Sequence, residues 1–270
     1  MNLFDVREKV VLITGGGGVL AGCMAGHLLA AGATVILLDY KKESVDETIE
    51  RLKKNSNNVH GFVCNVLDKN SLENVRERLA IKFKSIDVLI NAAGGNKPGA
   101  TIGEDQNIFD LSIKDFQDVV DLNLTGSVLP SLVFGKEMVK KNRGVIINIS
   151  SMTAQSAVTR VVGYSASKAA IDNFTKWLSV ELALKFGEGI RVNAIAPGFF
   201  IGNQNRALLL NEDGSYTERG KTIIQNTPMK RFGTGEELNG TVQFLCSEAS
   251  KFVTGVVIPI DGGFSAFSGV

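Results

Sequence analysis

Val10-Val11-Leu12-Ile13-Thr14-Gly15-Gly16-Gly17-Gly18-Val19-Leu20-Ala21-Gly22 decides how the rest of the chain is read. Four consecutive aliphatic residues suit a strand buried on both faces. The glycines that follow admit a tight turn. Ala21, Met24, Ala25, Leu28 and Leu29 then recur at the spacing of a helix with one apolar stripe, and Gly32 closes that helix. A glycine-rich turn opening a helix lets a pyrophosphate meet bare backbone N–H groups. Gly15, Gly17, Gly18, Val19 and Leu20 are the candidate contacts. A second apolar run, Val35 to Leu38, ends at Asp39, 24 residues after Gly15. At that spacing a carboxylate bonds the ribose hydroxyls of NAD and repels the 2′-phosphate of NADP. NAD is therefore expected over NADP, although Lys41 and Lys42 follow closely.

The same alternation continues to the C-terminus. A polar helix is expected over about 43–54 and a strand from Val59 to Cys64. Leu72, Val75, Leu79 and Phe83 then mark another helix. Ile86 to Ile90, Val145 to Ile149, Ile190 to Ile195 and Val256 to Ile260 read as further strands. Helices are expected over about Ser112–Lys141, Gly163–Phe186 and, after a loop-rich stretch that follows the sixth strand, Glu236–Cys246. Strands alternating with helices in this way predict a parallel sheet covered on both faces. The length of 270 residues is nearly twice that of an average domain, about 150. No Pro/Ser linker divides it, so one α/β domain over 1–270 is expected, a Rossmann-type doubly wound fold of about seven strands.

Composition narrows the function classes. Lys+Arg 29 against Asp+Glu 28 leaves a net charge of +1, with no overall field to favour nucleic acid or an anionic membrane surface. No run of apolar residues is long enough to span a bilayer, and the N-terminus carries charge where a signal peptide needs an apolar core. A cytoplasmic protein is expected. Cys23, Cys64 and Cys246 are odd in number and far apart, suggesting buried thiols in a reducing compartment rather than disulfides or a metal site.

Tyr164 and Lys168, four residues apart, share one helical face. A phenol titrates near pH 10, and a neighbouring ammonium is expected to lower that value toward useful acid–base work. Ser151 closes the fifth predicted strand, at the sheet edge where open α/β folds bind ligands. Asn123 sits in a predicted helix that it suits poorly.

These four residues, with the Thr14-Gly15 turn and Asn91-Ala92-Ala93-Gly94, resemble the short-chain dehydrogenase/reductase family over essentially the whole chain. The family's glycine motif is usually TGxxxGxG. Here Val19 and Ala21 replace its later glycines, while Gly16 to Gly18 and Gly22 offer another route for the same turn. The resemblance implies adenine contacts at Asn65 and Val66, where the family has an acidic residue, and further cofactor contacts at Asn91, Ala92, Ala93 and Gly94. Pro197 and Gly198 would close over the nicotinamide. It also implies a proton transfer by Tyr164, a carbonyl held by Ser151, a nicotinamide ribose bound by Lys168, a relay water anchored by Asn123, and a homotetramer.

The segment 199–228 corresponds to the family's substrate lid, and it is rich in amides and cations. Asn203 and Arg206 within it, with Asn96, Lys97 and Arg160 at the same sheet edge, suit a polyhydroxy acid, since arginine grips a carboxylate with two parallel bonds. The glycine variant, this segment and the C-terminal Asp261–Val270 resemble the D-mannonate oxidoreductase (fructuronate reductase) subgroup. Gluconate 5-dehydrogenases and 3-oxoacyl reductases are the competing members. A non-catalytic dinucleotide sensor on the same fold is the alternative from another class. No metal is expected.

Overall fold

The computed structural model describes residues 2–83, 85–202 and 205–269. Its centre is a parallel sheet of β1 (Val10–Thr14), β2 (Thr34–Asp39), β3 (Val59–Val63), β4 (Val88–Asn91), β5 (Gly144–Ile149), β6 (Ile190–Pro197) and β7 (Val257–Ile260). The strands lie in the order β3-β2-β1-β4-β5-β6-β7. Chain order reverses beside β1, which opens a crevice at the carboxyl ends of β1 and β4. Every pairing between named strands is parallel, so those ends all point to one edge.

Helices cover both faces. They are α1 (Val19–Ala30), α2 (Lys42–Lys53), α3 (Lys69–Lys82), α4 (Ile113–Val120), α5 (Gly126–Lys141), α6 (Val162–Phe186), α7 (Arg206–Leu209), α8 (Glu218–Asn226) and α9 (Asn239–Cys246). One core layer joins Val11, Ile13, Val35 and Leu37 to Met24, Leu28 and Val242; the other joins Leu12, Ile36 and Leu89 to Leu72, Phe134 and Leu178. Alternate residues of one strand thus serve opposite layers, as a sheet buried on both faces requires. Gly32, in the left-handed region at φ +91°, ends α1. Its N–H bonds Leu29 O while Ala33 N–H reaches back to Leu28 O, a Schellman closure.

Two expectations need correction. The helix predicted over Ser112–Lys141 is not continuous: Asp121–Thr125 forms a π-helical turn between α4 and α5. The loop-rich stretch after β6 carries α7 and α8, which bury Leu209 and Ile223 against Phe232 in a satellite core. Both helices are too short for a periodic pattern to stand out. Among the described residues no helix is long and apolar enough to cross a membrane. Cys64 and Cys246 are buried, Cys23 is half-buried, and all three are free thiols.

Candidate active site

The nucleotide end is built on β1. Gly15 takes φ +66°, and a side chain there would strike Ala93 Cα at 2.7 Å and Ala92 O at 2.9 Å, so only glycine fits. Gly18 caps α1 without any side-chain hydrogen bond, and no acidic residue occupies the first turn. The N–H groups of that turn, at Val19 and Leu20, therefore face the crevice uncapped. This is the donor set that an anionic pyrophosphate requires. Asp39 stands beside it at the end of β2: one carboxylate oxygen accepts from Gly17 N–H at 3.1 Å and the other from Lys41 N–H at 3.2 Å. Each oxygen retains a lone pair for a diol. The residues present therefore fit a dinucleotide.

The loop after β4 forms the floor. Thr14 Oγ1 accepts from both Ala92 N–H and Ala93 N–H at 3.1 Å, tying the loop to β1. A side chain at Gly94 would meet Asn123 Oδ1 at 2.6 Å and Lys168 Nζ at 3.4 Å, so this glycine lies directly against the catalytic candidates. Asn91 is turned inward: its amide donates to Ser131 Oγ and Asn148 Oδ1, both at 2.8 Å, leaving its backbone for any outside contact. Asn65 is exposed and its Oδ1 accepts from Leu67 N–H at 3.0 Å, while Val66 is buried against Gly126. Pro197 ends β6, and Gly198 N–H bonds Ile260 O at 2.9 Å.

Asn123 lies inside the π-helical turn and is fully buried. Its Oδ1 accepts from Gly95 N–H at 3.1 Å, and its Nδ2 donates to Gly95 O at 2.7 Å and Val119 O at 2.8 Å. Both amide hydrogens are thus spent on backbone, and the side chain clamps the β4 loop.

Tyr164 sits in the first turn of α6, half-buried, with Ser151 close enough for its hydroxyl to hydrogen-bond the phenol. Lys168, one turn later and 4 % exposed, holds its Nζ 5.4 Å from the centre of the Tyr164 ring and donates to Ile149 O at 2.7 Å. Burial lowers the ammonium to about 8, partly opposed by Asp172. Asp172, another four residues along the same helix face, is itself pushed up by burial and accepts from Ser150 Oγ.

The electrostatics differ from the sequence expectation. Burial raises the Tyr164 phenol above its ordinary value, and the group that pulls it down is the Ser151 hydroxyl, not Lys168. The ammonium lies over the ring but is itself easily discharged, and desolvation of the phenol outweighs it. In the cofactor-free chain the phenol is a proton donor across neutral pH.

The candidate substrate residues are less uniform. Lys97 is committed to Asp118, Nζ to Oδ2 at 2.6 Å. Asn96 donates to Thr101 Oγ1 at 2.8 Å, and its buried Oδ1 has no protein partner. Arg160 is half-buried and bonds Ile102 O through Nε at 2.7 Å. Arg206 is exposed at the start of α7; Asn203 lies outside the described residues. Sequence reasoning missed Asp172 and Arg219, and it gave no role to the Thr14 hydroxyl or to the Gly95 backbone. Of these, only Asp172 carried a spacing signal, the repeat of four from Tyr164 through Lys168.

A family model described as Enoyl-(Acyl carrier protein) reductase matches residues 18–265. The chain is 45% identical over 275 residues to UxuB, an uncharacterized oxidoreductase of Bacillus subtilis (strain 168), covering 98% of each. It is 32% identical to a 2-dehydro-3-deoxy-D-gluconate 5-dehydrogenase of Formosa agariphila, covering 100% of this chain and 97% of that one. A crystal structure with bound NAD, of a candidate D-mannonate oxidoreductase from Haemophilus influenzae, superposes with a TM-score of 0.91 at 44% identity over 98% of both chains. With its seven-stranded parallel sheet and its Ser-Tyr-Lys cluster at the carboxyl edge, the chain belongs to the short-chain dehydrogenase/reductase family and is an oxidoreductase acting on CH–OH groups.

Proposed function

We propose that the chain interconverts a secondary alcohol and a ketone on a sugar acid, with NAD(H) as cofactor and the D-mannonate/D-fructuronate pair as substrate. The juxtaposition of Tyr164, Ser151 and Lys168 carries the chemistry. Asp39 beside the uncapped α1 terminus supports NAD, and the sugar-acid relatives support the substrate class.

When bound, the nicotinamide supplies or accepts the hydride. The protein handles the proton. In reduction the Tyr164 phenol donates it to the developing alkoxide, and the Ser151 hydroxyl hydrogen-bonds the same oxygen, lowering the cost of charge there. Lys168 reloads the phenol from the side of Gly94 and holds the cofactor ribose. Asn123 keeps the β4 loop closed, and a relay water would have to use the spare lone pairs of Asn123 rather than its amide hydrogens. Segment 199–228 covers the substrate.

A panel of uronates and aldonates run in parallel with NAD(H) and NADP(H) tests this reading. D-Mannonate oxidation with NAD is expected to lead the panel. Asp39→Ala should narrow the NAD preference by at least about tenfold, because a ribose-binding and phosphate-repelling carboxylate is lost. Tight NAD binding without turnover across the panel would instead favour the dinucleotide sensor.

We also propose a homotetramer. Trp177, Val180 and Leu184 are exposed by 60%, 56% and 78% on the outer side of α6. They recur at spacings of three and four, the stripe of a helix that packs against something. The C-terminal Phe264 lies outside this stripe: it packs edge-on against Phe199 with ring centres 5.2 Å apart. Light scattering on the purified protein should give four times the chain mass, and Trp177→Glu should reduce it. A monomeric wild type would end this proposal.

A further inference from the structure

Arg160 has a backbone that arginine rarely adopts, φ +78°. A residue with a Cβ is strained there, by about 1–3 kcal/mol, and glycine would not be. Two bonds to one residue hold it: Ile102 N–H donates to Arg160 O at 3.0 Å, and Arg160 Nε donates to Ile102 O at 2.7 Å. The guanidinium is thereby fixed on the turn that leads into α6, four residues before Tyr164.

A second guanidinium comes to the same place from the other side. Arg219, in the first turn of α8, donates from its two terminal nitrogens to Thr159 O and Thr159 Oγ1, both at 3.3 Å. It is half-buried, and among the described residues no carboxylate lies within ion-pair distance of it. Burial and the charge of Arg160 both bear against its ionised form. Among the described residues the acid paired with Arg160 is Glu104, at 3.3 Å, and its side chain is 86% exposed. A single solvated carboxylate thus meets one of two partly buried cations, and the other has no acid beside it among the described residues.

We infer that Arg160 and Arg219 together bind the carboxylate of the substrate, which takes the place of Glu104 at Arg160 and supplies a counter-charge to Arg219 through the N–H hydrogens not given to Thr159. The inference rests on the sugar-acid reading and adds the groups that recognise the acid. Its physical basis is that a guanidinium already desolvated loses little more when it meets a carboxylate, and a planar fork holds it by two bonds. Arg219 rides on α8, so binding of the acid also fastens α8 beside Thr159.

Steady-state oxidation of D-mannonate and of its neutral counterpart D-mannitol, with NAD, separates recognition from mere latching. Arg219→Gln should raise KM for D-mannonate roughly 10- to 100-fold, the worth of a charged hydrogen-bonded pair. It should leave kcat for D-mannonate within about threefold and erode the preference for the acid. Arg219→Lys should recover part of the loss. Thr159→Val, which removes the Thr159 hydroxyl but keeps the charge, should have a far smaller effect on KM for D-mannonate. An Arg219→Gln enzyme with an undiminished preference for the acid overturns the carboxylate pair. So does a Thr159→Val enzyme that reproduces the Arg219→Gln defect. A wild type that oxidises neither compound, or prefers the neutral one, removes the sugar-acid reading and this inference with it.

Discussion

Tyr164→Phe is expected to lower kcat by about 10²- to 10⁴-fold in both directions while leaving NAD affinity within a few-fold of wild type. The phenylalanine ring keeps the volume of the first turn of α6 and its face toward Lys168 Nζ at 5.4 Å, so packing survives while the proton and the hydrogen bond with Ser151 are lost. The pH profile of the wild type gives a second check. Because burial holds the phenol above its ordinary value, its protonated form is present throughout the neutral range, and ketone reduction should be flat there. Alcohol oxidation needs the phenolate and should climb with rising pH. A Tyr164→Phe enzyme that retains full activity would remove the proton-transfer assignment.

Lys168→Met should abolish activity, by about 10³-fold or more, without lowering stability at pH 7. The ammonium is buried and its pKa falls from 10.5 to about 8, which makes the charged form less favourable in the folded chain by about 3 kcal/mol. Methionine fills a similar volume without that cost. It forfeits the bond to Ile149 O, worth about 1–3 kcal/mol for a carbonyl left unsatisfied. The sign with pH follows from linkage. Between about 8 and 10.5 the unfolded lysine keeps its proton and the folded one releases it, so wild-type stability gains with rising pH. Urea unfolding of both proteins from pH 7 to 10.5 should show the wild type improving relative to the variant, by up to about 3 kcal/mol. A constant difference across that range would mean that Lys168 is not desolvated as its surroundings indicate.

The sheet was readable because its strands are continuous aliphatic runs bounded by glycine, asparagine or aspartate, as at Val10–Thr14 and Thr34–Asp39. Tyr164 and Lys168 were readable because helical spacing alone puts them together. What pattern could not supply was direction and commitment. Lys97 looks like a free cation until Asp118 is seen to hold it, and Asn91 looks like a ligand contact until its amide is found between Ser131 and Asn148. The balance of forces on Tyr164 was misjudged for a related reason: spacing places an ammonium nearby but says nothing of how deeply the phenol is desolvated. Arg219 escaped notice because Thr159, its partner, lies 60 residues away.

The widened turn at Asp121–Thr125 has a mechanical meaning. Each residue of an α-helix advances the azimuth by about 100°, and a wide turn shifts the phase between the rod before it and the rod after it. α5 can therefore aim Val133, Phe134 and Met138 at the sheet, while α4 keeps a different heading, with Asp118 toward Lys97. Asn123 sits at the dislocation itself, so the amide that grips Gly95 is set by where the helix loses its step, and the pitch of the scaffold becomes the gauge for the floor of the cleft.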